Sequence, residues 1–577
     1  MLIKAKTWKF GLLCAAATLS APAYAAMPCE KLAGLQIGST TITSAGSVTG
    51  PLAVESPGGD GVTNVPFCRV QGVTRPTPKA DVRFEVWLPR EWNSRMKTPT
   101  TGGYLGGIPY TRMVEDVANG YVMVGSNLGH EGGSDPKWTL DPDALAAYGY
   151  GAHPFVNRAA RAIVQAFYDK GPSKSYFEGC SGGGRQALMM AQRYPDLFDG
   201  IIAGAPSNSY PDSIMQILWQ HRIHKPQSND GAPLIPQTKL AMVSASVMAR
   251  CDAKDGLKDG ELTDPRACDA DASMLRCKAG ETADCLTDKQ IAGLRDIYGG
   301  PRKSNGIPLY RGSMPGGEYS WNLGVGDTTR YGAFFGDVVL ENTSWDWRTL
   351  DFDNQYEFMR DRLNPVMASP SPDLSAFKAR GGKLIQFHGW HDQLIAPTAS
   401  PNYYASVIAF ERLKSDKNAD AAIDKLTPKD VVADMAKAGS VESFYRLFMV
   451  PGMAHCRGGN STNHFDQGPN GVASKRDLDH SLQLQLERWV EQGVAPERVV
   501  ATQFVDNDPA KGIVRERPLC AYPKMARYKG SGDVNDPANF VCGNSDAANL
   551  TPNAADMAQI KYSLKVRNTI GPRVEVK

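Results

Sequence analysis

Three residues far apart in the chain, Ser181, Asp392 and His455, carry side chains suited to covalent acyl transfer. Ser181 lies in Gly179-Cys180-Ser181-Gly182-Gly183, which fits G-x-S-x-G. In that motif the serine stands at the apex of a strained turn, and a side chain at either flanking glycine would crowd it. A serine hydroxyl is a weak nucleophile until a base takes its proton. An imidazole titrating near neutrality takes that proton and later returns it to the leaving alcohol. Asp392 would hold the His455 ring in one tautomer and stabilise its cation. Backbone N–H groups complete the set: Gly182, and Gly103 in the run Thr101-Gly102-Gly103-Tyr104-Leu105-Gly106-Gly107. They are suited to binding a tetrahedral oxyanion, worth roughly 3 kcal/mol per donor.

The neighbouring elements must position these groups. Ser175-Tyr176-Phe177 reads as the end of a buried strand, and residues 185–193 as a helix closed by Tyr194-Pro195. Residues 82–88 alternate as a strand that Pro89 stops, and 121–124 form another, leading to a loop with His130. Residues 157–170 are helical, and 198–206 are a short buried strand. Strand–helix alternation then stops from 207 to 374, where Trp219, Trp321, Trp345 and Trp347 occur with four cysteines and many glycines and prolines. A strand resumes at 382 and runs to Asp392, followed by a helix over 400–413. A strand over 444–450 runs into Pro451-Gly452-Met453-Ala454-His455-Cys456, and a helix covers 482–491. The order Ser, Asp, His on loops after strands is that of the α/β-hydrolases. The expected fold is therefore α/β: a doubly wound, mostly parallel sheet with a large inserted lid. The expected division is a leader over 1–26, core over 27–206, lid over 207–374, and core plus a tail of little periodicity over 375–577.

Lys4, Lys6 and Lys9 precede an apolar run over 10–19, and Ala23-Tyr24-Ala25 supplies a small-x-small site. This is the pattern of a secretory signal peptide cut near Ala25 or Ala26, so a secreted or periplasmic protein is expected. Leu13 stands before Cys14 where a lipoprotein needs a small residue. No later apolar run approaches the length of a membrane span. Beyond Cys14 the cysteines are Cys29, Cys68, Cys180, Cys251, Cys268, Cys277, Cys285, Cys456, Cys520 and Cys542. An even number without a C-x-x-C pair indicates disulfides rather than zinc or redox chemistry. Spacing favours Cys251 with Cys268, Cys277 with Cys285, and Cys520 with Cys542. The net charge of +2, without blocks of like charge, argues against nucleic acid as a partner.

Other polar clusters carry alternatives. His388 and His391 flank Asp392 and could suggest a metal cluster; they read as a strand-end residue and a loop residue. His130, on a loop at the same end of the sheet, reads as a structural hydrogen-bonding residue or as part of a pocket. Residues 251–261 place Asp252, Asp255 and Asp259 within eight positions, with glycines that let the chain wrap. Hard oxygen ligands at such spacing suit calcium, although the spacing is not that of an EF-hand. A solvated acidic turn is the other reading.

The cysteine before Ser181 and the cysteine after His455 form, with Asp392, the arrangement CS-D-HC. In this the chain resembles the tannase and feruloyl esterase family, which includes the mono(2-hydroxyethyl) terephthalate hydrolases. The resemblance covers nearly the whole chain beyond the leader. It implies a disulfide between Cys180 and Cys456, an α/β-hydrolase core, a lid over the substrate, and no organic cofactor. It also implies calcium held by Asp252, Asp255 and Asp259 side chains and by the carbonyls of Leu257 and Glu261. Residues 342–353 look like the feruloyl esterase and tannase branch; the arginine-bearing insertion of the terephthalate hydrolases has no located counterpart. Ile395 resembles a substrate-facing position.

The expected activity is hydrolysis of small aromatic esters, hydroxycinnamates first, gallates second and a terephthalate monoester third. The lid tryptophans are expected to offer flat faces to the acyl group. A peptidase on this fold has only the triad in its favour, and a non-catalytic binding module would be expected to lack one of its members.

Overall fold

The computed structural model describes residues 27–569 and 571, apart from 134, 225–231, 282, 322–330 and 469–470. The expected leader thus lies outside the described residues. A ten-stranded sheet organises the molecule. Its strands are β1 (Gln36–Ile37), β2 (Thr40–Val48), β3 (Phe67–Thr74), β4 (Val82–Pro89), β5 (Arg95–Pro99), β6 (Val122–Ser126), β7 (Lys174–Cys180), β8 (Gly200–Gly204), β9 (Lys383–Gly389) and β10 (Tyr445–Val450). They lie in the order β1-β2-β3-β4-β6-β5-β7-β8-β9-β10. The β1–β4 end is antiparallel, and β4 meets β6 antiparallel. From β6 to β10 every pair is parallel.

Parallel strands are covered on both faces and therefore read as unbroken apolar runs. Ile201, Ile202 and Ala203 of β8 and Leu447, Phe448 and Val450 of β10 are all buried. The first strands were not anticipated. β2 is rich in Thr, Ser and Gly, and only Thr40 and Ile42 of its nine residues are buried, so its apolar signal is weak.

Helix α1 (Tyr110–Val117) follows β5, and α2 (Ala152–Tyr168) precedes β7. α2 starts earlier than its periodicity suggests because it continues directly from a π-helical segment over Ala147–Gly151. The elbow helix α3 (Gly182–Arg193) likewise begins three residues before the apolar pattern, on glycines. Among the described residues between β8 and β9, no strand joins the sheet. The insertion contributes α4 (Tyr210–His224), α5 (Gln237–Cys251), α6 (Asp288–Gly299) and α7 (Gln355–Met367). Its Ile214, Phe334 and Met359 share one core with Val122, Val124 and Ile163. On the other side, α3 packs with α8 (Ala399–Leu413) through Leu188, Tyr404 and Ala409.

Five disulfides are present: Cys29–Cys68, Cys180–Cys456, Cys251–Cys268, Cys277–Cys285 and Cys520–Cys542. The tail is more regular than its weak periodicity suggests. After α9 (Leu482–Gln492) come two antiparallel pairs, Arg498–Phe504 with Ile513–Cys520 and Lys524–Tyr528 with Phe540–Asn544. The final helix α10 (Ala554–Lys565) buries Met557, Ile560 and Leu564 in the core of α3 and α8. Its apolar stripe becomes meaningful only with α8 beside it.

Candidate active site

Ser181 stands between β7 and α3 with φ 64° and ψ −122°. A non-glycine residue stays in that sparsely populated region only when its surroundings hold it. Here its N–H donates to the Gly204 carbonyl (2.9 Å), and its carbonyl accepts from Arg185 (3.0 Å) and Ser207 (3.2 Å) N–H groups.

Asp392 lies three residues beyond β9 and His455 five beyond β10, so the three groups occupy the carboxyl ends of β7, β9 and β10, with β8 between the first two. That edge is where open α/β sheets build their sites. The His391 N–H donates to the Met453 carbonyl (3.0 Å), stitching the two loops together. Asp392 is buried and fully engaged. Its Oδ1 accepts from the Leu394 (2.8 Å) and Ile395 (2.9 Å) N–H groups. Its Oδ2 accepts from His455 Nδ1 (2.7 Å) and His388 Nε2 (3.1 Å). Burial alone would raise the Asp392 pKa; the two imidazoles more than reverse this and hold the carboxyl well below the usual carboxylate range. The His455 N–H donates to Gln393 Oε1 (3.1 Å). With Nδ1 on Asp392, the ring has Nε2 left to offer Ser181. No hydrogen bond joins Ser181 Oγ to that ring here; such contacts commonly tighten when substrate docks. What brings the two residues together is the Cys180–Cys456 bond, with Cα atoms 6.0 Å apart.

The glycine-rich loop closes over the elbow. A Cβ added to Gly182 would lie 3.0 Å from both the nitrogen and the carbonyl oxygen of Gly103. One added to Gly102 would lie 3.3 Å from Ser181 Cβ. Only side-chain-free positions permit so close an approach. The Tyr148 hydroxyl donates to the Gly103 carbonyl and steadies the loop.

A family model described as tannase and feruloyl esterase matches residues 68–543. The chain belongs to this family. An uncharacterised esterase of Xanthomonas campestris pv. campestris is 36% identical over 562 residues, covering 92% of this chain and 94% of its own. A probable feruloyl esterase B of Aspergillus clavatus is 29% identical over 488 residues, covering 82% of this chain and 86% of its own. The crystal structure of feruloyl esterase B from Aspergillus oryzae superposes with a TM-score of 0.78 at 26% identity, covering 89% of this chain and 99% of that one. As a member of the tannase and feruloyl esterase family, the protein is a carboxylic ester hydrolase with an α/β-hydrolase fold.

Other residues singled out in this tannase and feruloyl esterase chain have definite places. His130 stacks on Trp138 (ring centroids 3.6 Å), and its Nε2 hydrogen-bonds the Tyr104 carbonyl (2.7 Å). Burial pushes its pKa down. The Ile395 N–H serves Asp392, while its side chain is buried. The lid tryptophans do not stand free as flat faces. Trp219 packs edge-on to Phe352, Trp321 to Tyr298 and Trp347 to His221, and Trp345 tilts against Phe335. The aromatic ring carried by the glycine-rich loop is Tyr104, stacked on Phe334 (5.0 Å) with Tyr210 and Tyr331 nearby. A cavity of about 390 Å³ against the Cys29–Cys68 bond has none of the triad in its lining.

In the acidic run, Asp252 accepts from the Asp259 and Gly260 N–H groups, and Asp255 from Leu257 and Thr263. Asp259 pairs with Arg517 (2.6 Å), and Glu261 accepts from Ser461. Burial, with Asp259 close by, raises Asp255 and brings Glu261 to about 7. Carboxylates crowded on one turn, with carbonyls of the same turn, form an all-oxygen donor set of the kind a hard cation takes. The fit is one of donor chemistry and loop path: among the described residues, no three such side chains converge on a point.

His388, Ser400, Gln393 and Tyr148 were not anticipated as parts of the site. Only His388 had a signal, four residues before Asp392 near the end of the strand that leads to it.

Proposed function

We propose that the protein hydrolyses esters of aromatic carboxylic acids, with feruloyl and related hydroxycinnamoyl esters as preferred substrates and gallate esters next. The observation that carries this is the Cys180–Cys456 bond uniting a strained serine with an Asp392-bound imidazole, in a chain of this family. In this mechanism Ser181 Oγ attacks the ester carbonyl as His455 Nε2 takes its proton. Asp392 keeps the proton of Nδ1 in place and balances the imidazolium charge. The N–H groups of Gly182 and Gly103 receive the oxyanion. His455 then protonates the leaving alcohol, and water repeats the cycle on the acyl-enzyme. An aromatic acyl group is the reading that the family match supports.

Calcium belongs to the same proposal, as a brace for the loop. Asp252, Asp255, Asp259 and the carbonyls of Leu257 and Glu261 would hold it, and its charge would offset the burial, and the nearby Asp259 charge, that raise Asp255. Export is proposed as well. Five disulfides suit an oxidising compartment, and among the described residues no helix is long and apolar enough to cross a membrane.

Methyl ferulate, methyl gallate, a terephthalate monoester and a medium-chain aliphatic ester, assayed side by side, test the substrate class. The expected kcat/KM ranking puts methyl ferulate first and the aliphatic ester far below. An aliphatic preference would refute the proposal.

A further inference from the structure

A second histidine shares the catalytic acid. His388 is fully buried at the end of β9, and its Nε2 lies 3.1 Å from the Asp392 oxygen that also receives His455. Behind it runs a buried polar chain. His388 Nδ1 is 2.7 Å from Ser400 Oγ, and Gln386 Nε2 donates to the same Oγ at 2.5 Å. The Tyr445 hydroxyl donates to Gln386 Oε1.

These contacts determine the proton positions. Tyr445 is neutral, because burial pushes its hydroxyl well above the ordinary phenol value, so it donates and orients the Gln386 amide. The amide N–H occupies Ser400 Oγ as an acceptor, leaving the Ser400 proton to point at His388 Nδ1. With Nδ1 accepting, His388 carries its proton on Nε2 and gives it to Asp392. An ionised carboxylate accepts only, so this is the tautomer the site needs.

We propose that His388 is a positioning residue for the esterase reaction, fixed in its Nε2–H tautomer by Ser400, Gln386 and Tyr445. Its donation makes Asp392 a weaker base, so the proton taken from Ser181 stays on His455 instead of passing to the acid. It also fixes the rotation of the carboxylate, since each oxygen is then pinned by two donors. The titratable groups facing His388 are Asp392 on the loop after its own strand, His455 from the loop after β10, and Tyr445 within β10.

The inference rests on the serine-hydrolase reading above, and the experiment separates the two. The full chain and the variants Ser181→Ala, His388→Ala, His388→Gln and Ser400→Ala are assayed on p-nitrophenyl acetate, whose small acyl group is indifferent to acid preference, over the pH range 5–9. A hydrogen bond to a charged group is worth roughly ten- to a hundred-fold, so kcat of His388→Ala should fall by about that factor with KM within about twofold. Losing a donor makes Asp392 a stronger partner for imidazolium. The acid limb of its profile should therefore move up by about 0.5 to 1 pH unit. His388→Gln, whose amide N–H replaces Nε2–H, should recover part of both effects. Ser400→Ala, a small change that leaves Asp392 untouched, should show the same shift more weakly. If His388→Ala does not fold, Ser400→Ala decides alone. An unchanged kcat and acid limb in either folded variant would overturn the proposal. Near-normal activity of Ser181→Ala would instead overturn the serine-hydrolase reading itself.

Discussion

The disulfide between Cys180 and Cys456 spans 276 positions and joins the residue before Ser181 to the residue after His455. Each partner holds its neighbour in place. Ser181 and Cys456 both have positive φ, 64° and 65°, so both loops are bent into backbone regions that side-chain-bearing residues rarely adopt.

Cys180→Ser and Cys456→Ser should therefore damage kcat and stability to a similar degree, and the double variant should be no worse than either single. A displacement of about 1 Å between nucleophile and base can lower the rate roughly 100-fold. Closing so long a loop is worth on the order of 5 kcal/mol in the chain-entropy model, and usually less when measured. Cys277→Ser, whose partner is eight residues away within the lid, should spare catalysis. Steady-state kinetics and thermal melts read both quantities; additive losses at 180 and 456 would refute a shared role.

Ser181→Ala should leave the melting temperature near that of the parent and remove several orders of magnitude of turnover. Asp392→Asn should also be severe, because its amide N–H₂ would face His455 Nδ1 and favour the wrong tautomer. Circular dichroism beside kcat separates lost chemistry from lost fold. Turnover within tenfold of the parent in Asp392→Asn would contradict the assigned role.

Stability should fall in mild acid. His153 is buried on α2 against Gln186 of the elbow helix (2.7 Å), and burial lowers its pKa to about 4; His391 is similarly lowered to about 4. The unfolded value is about 6.5, so the folded state resists protonation that the unfolded chain accepts. The contribution is present above pH 6.5 and is lost as the pH falls from there toward 4, by about 2 kcal/mol per group between pH 7 and 5. Urea unfolding at the two pH values measures the loss. His153→Gln should show a shallower pH dependence, and an identical slope would remove His153 from the account.

Chelation should lower the melting temperature, and Asp255→Ala should abolish that sensitivity. Without a cation, Asp255 and Asp259 repel across a half-exposed turn. The loop also reaches the histidine segment, because Glu261 accepts from Ser461, and the tail, because Asp259 pairs with Arg517. Catalysis should consequently weaken after chelation without vanishing. Elemental analysis of the purified chain should find about one calcium per molecule; none, with an unchanged melt, would reduce the loop to an acidic turn.

The sequence by itself determined the fold class and the parallel half of the sheet, and it singled out the residues proposed as nucleophile, acid and base. Those are local signals: glycines flanking Ser181, apolar runs for strands buried on both faces, and loops beginning where such runs stop. Only the tertiary structure decided how Asp392 is shared. His388 and Asp392 are visible as neighbours, but Ser400, Gln386 and Tyr445 become one chain only when β10 and α8 pack on β9. It likewise decided that the lid tryptophans pack against other lid rings, that Cys29 meets Cys68, and that the weakly patterned β2 joins the sheet. Local periodicity records how each segment alternates between core and solvent. It carries no information about which distant segment supplies the opposite face, and that pairing is what sets hydrogen bonds, tautomers and ring contacts.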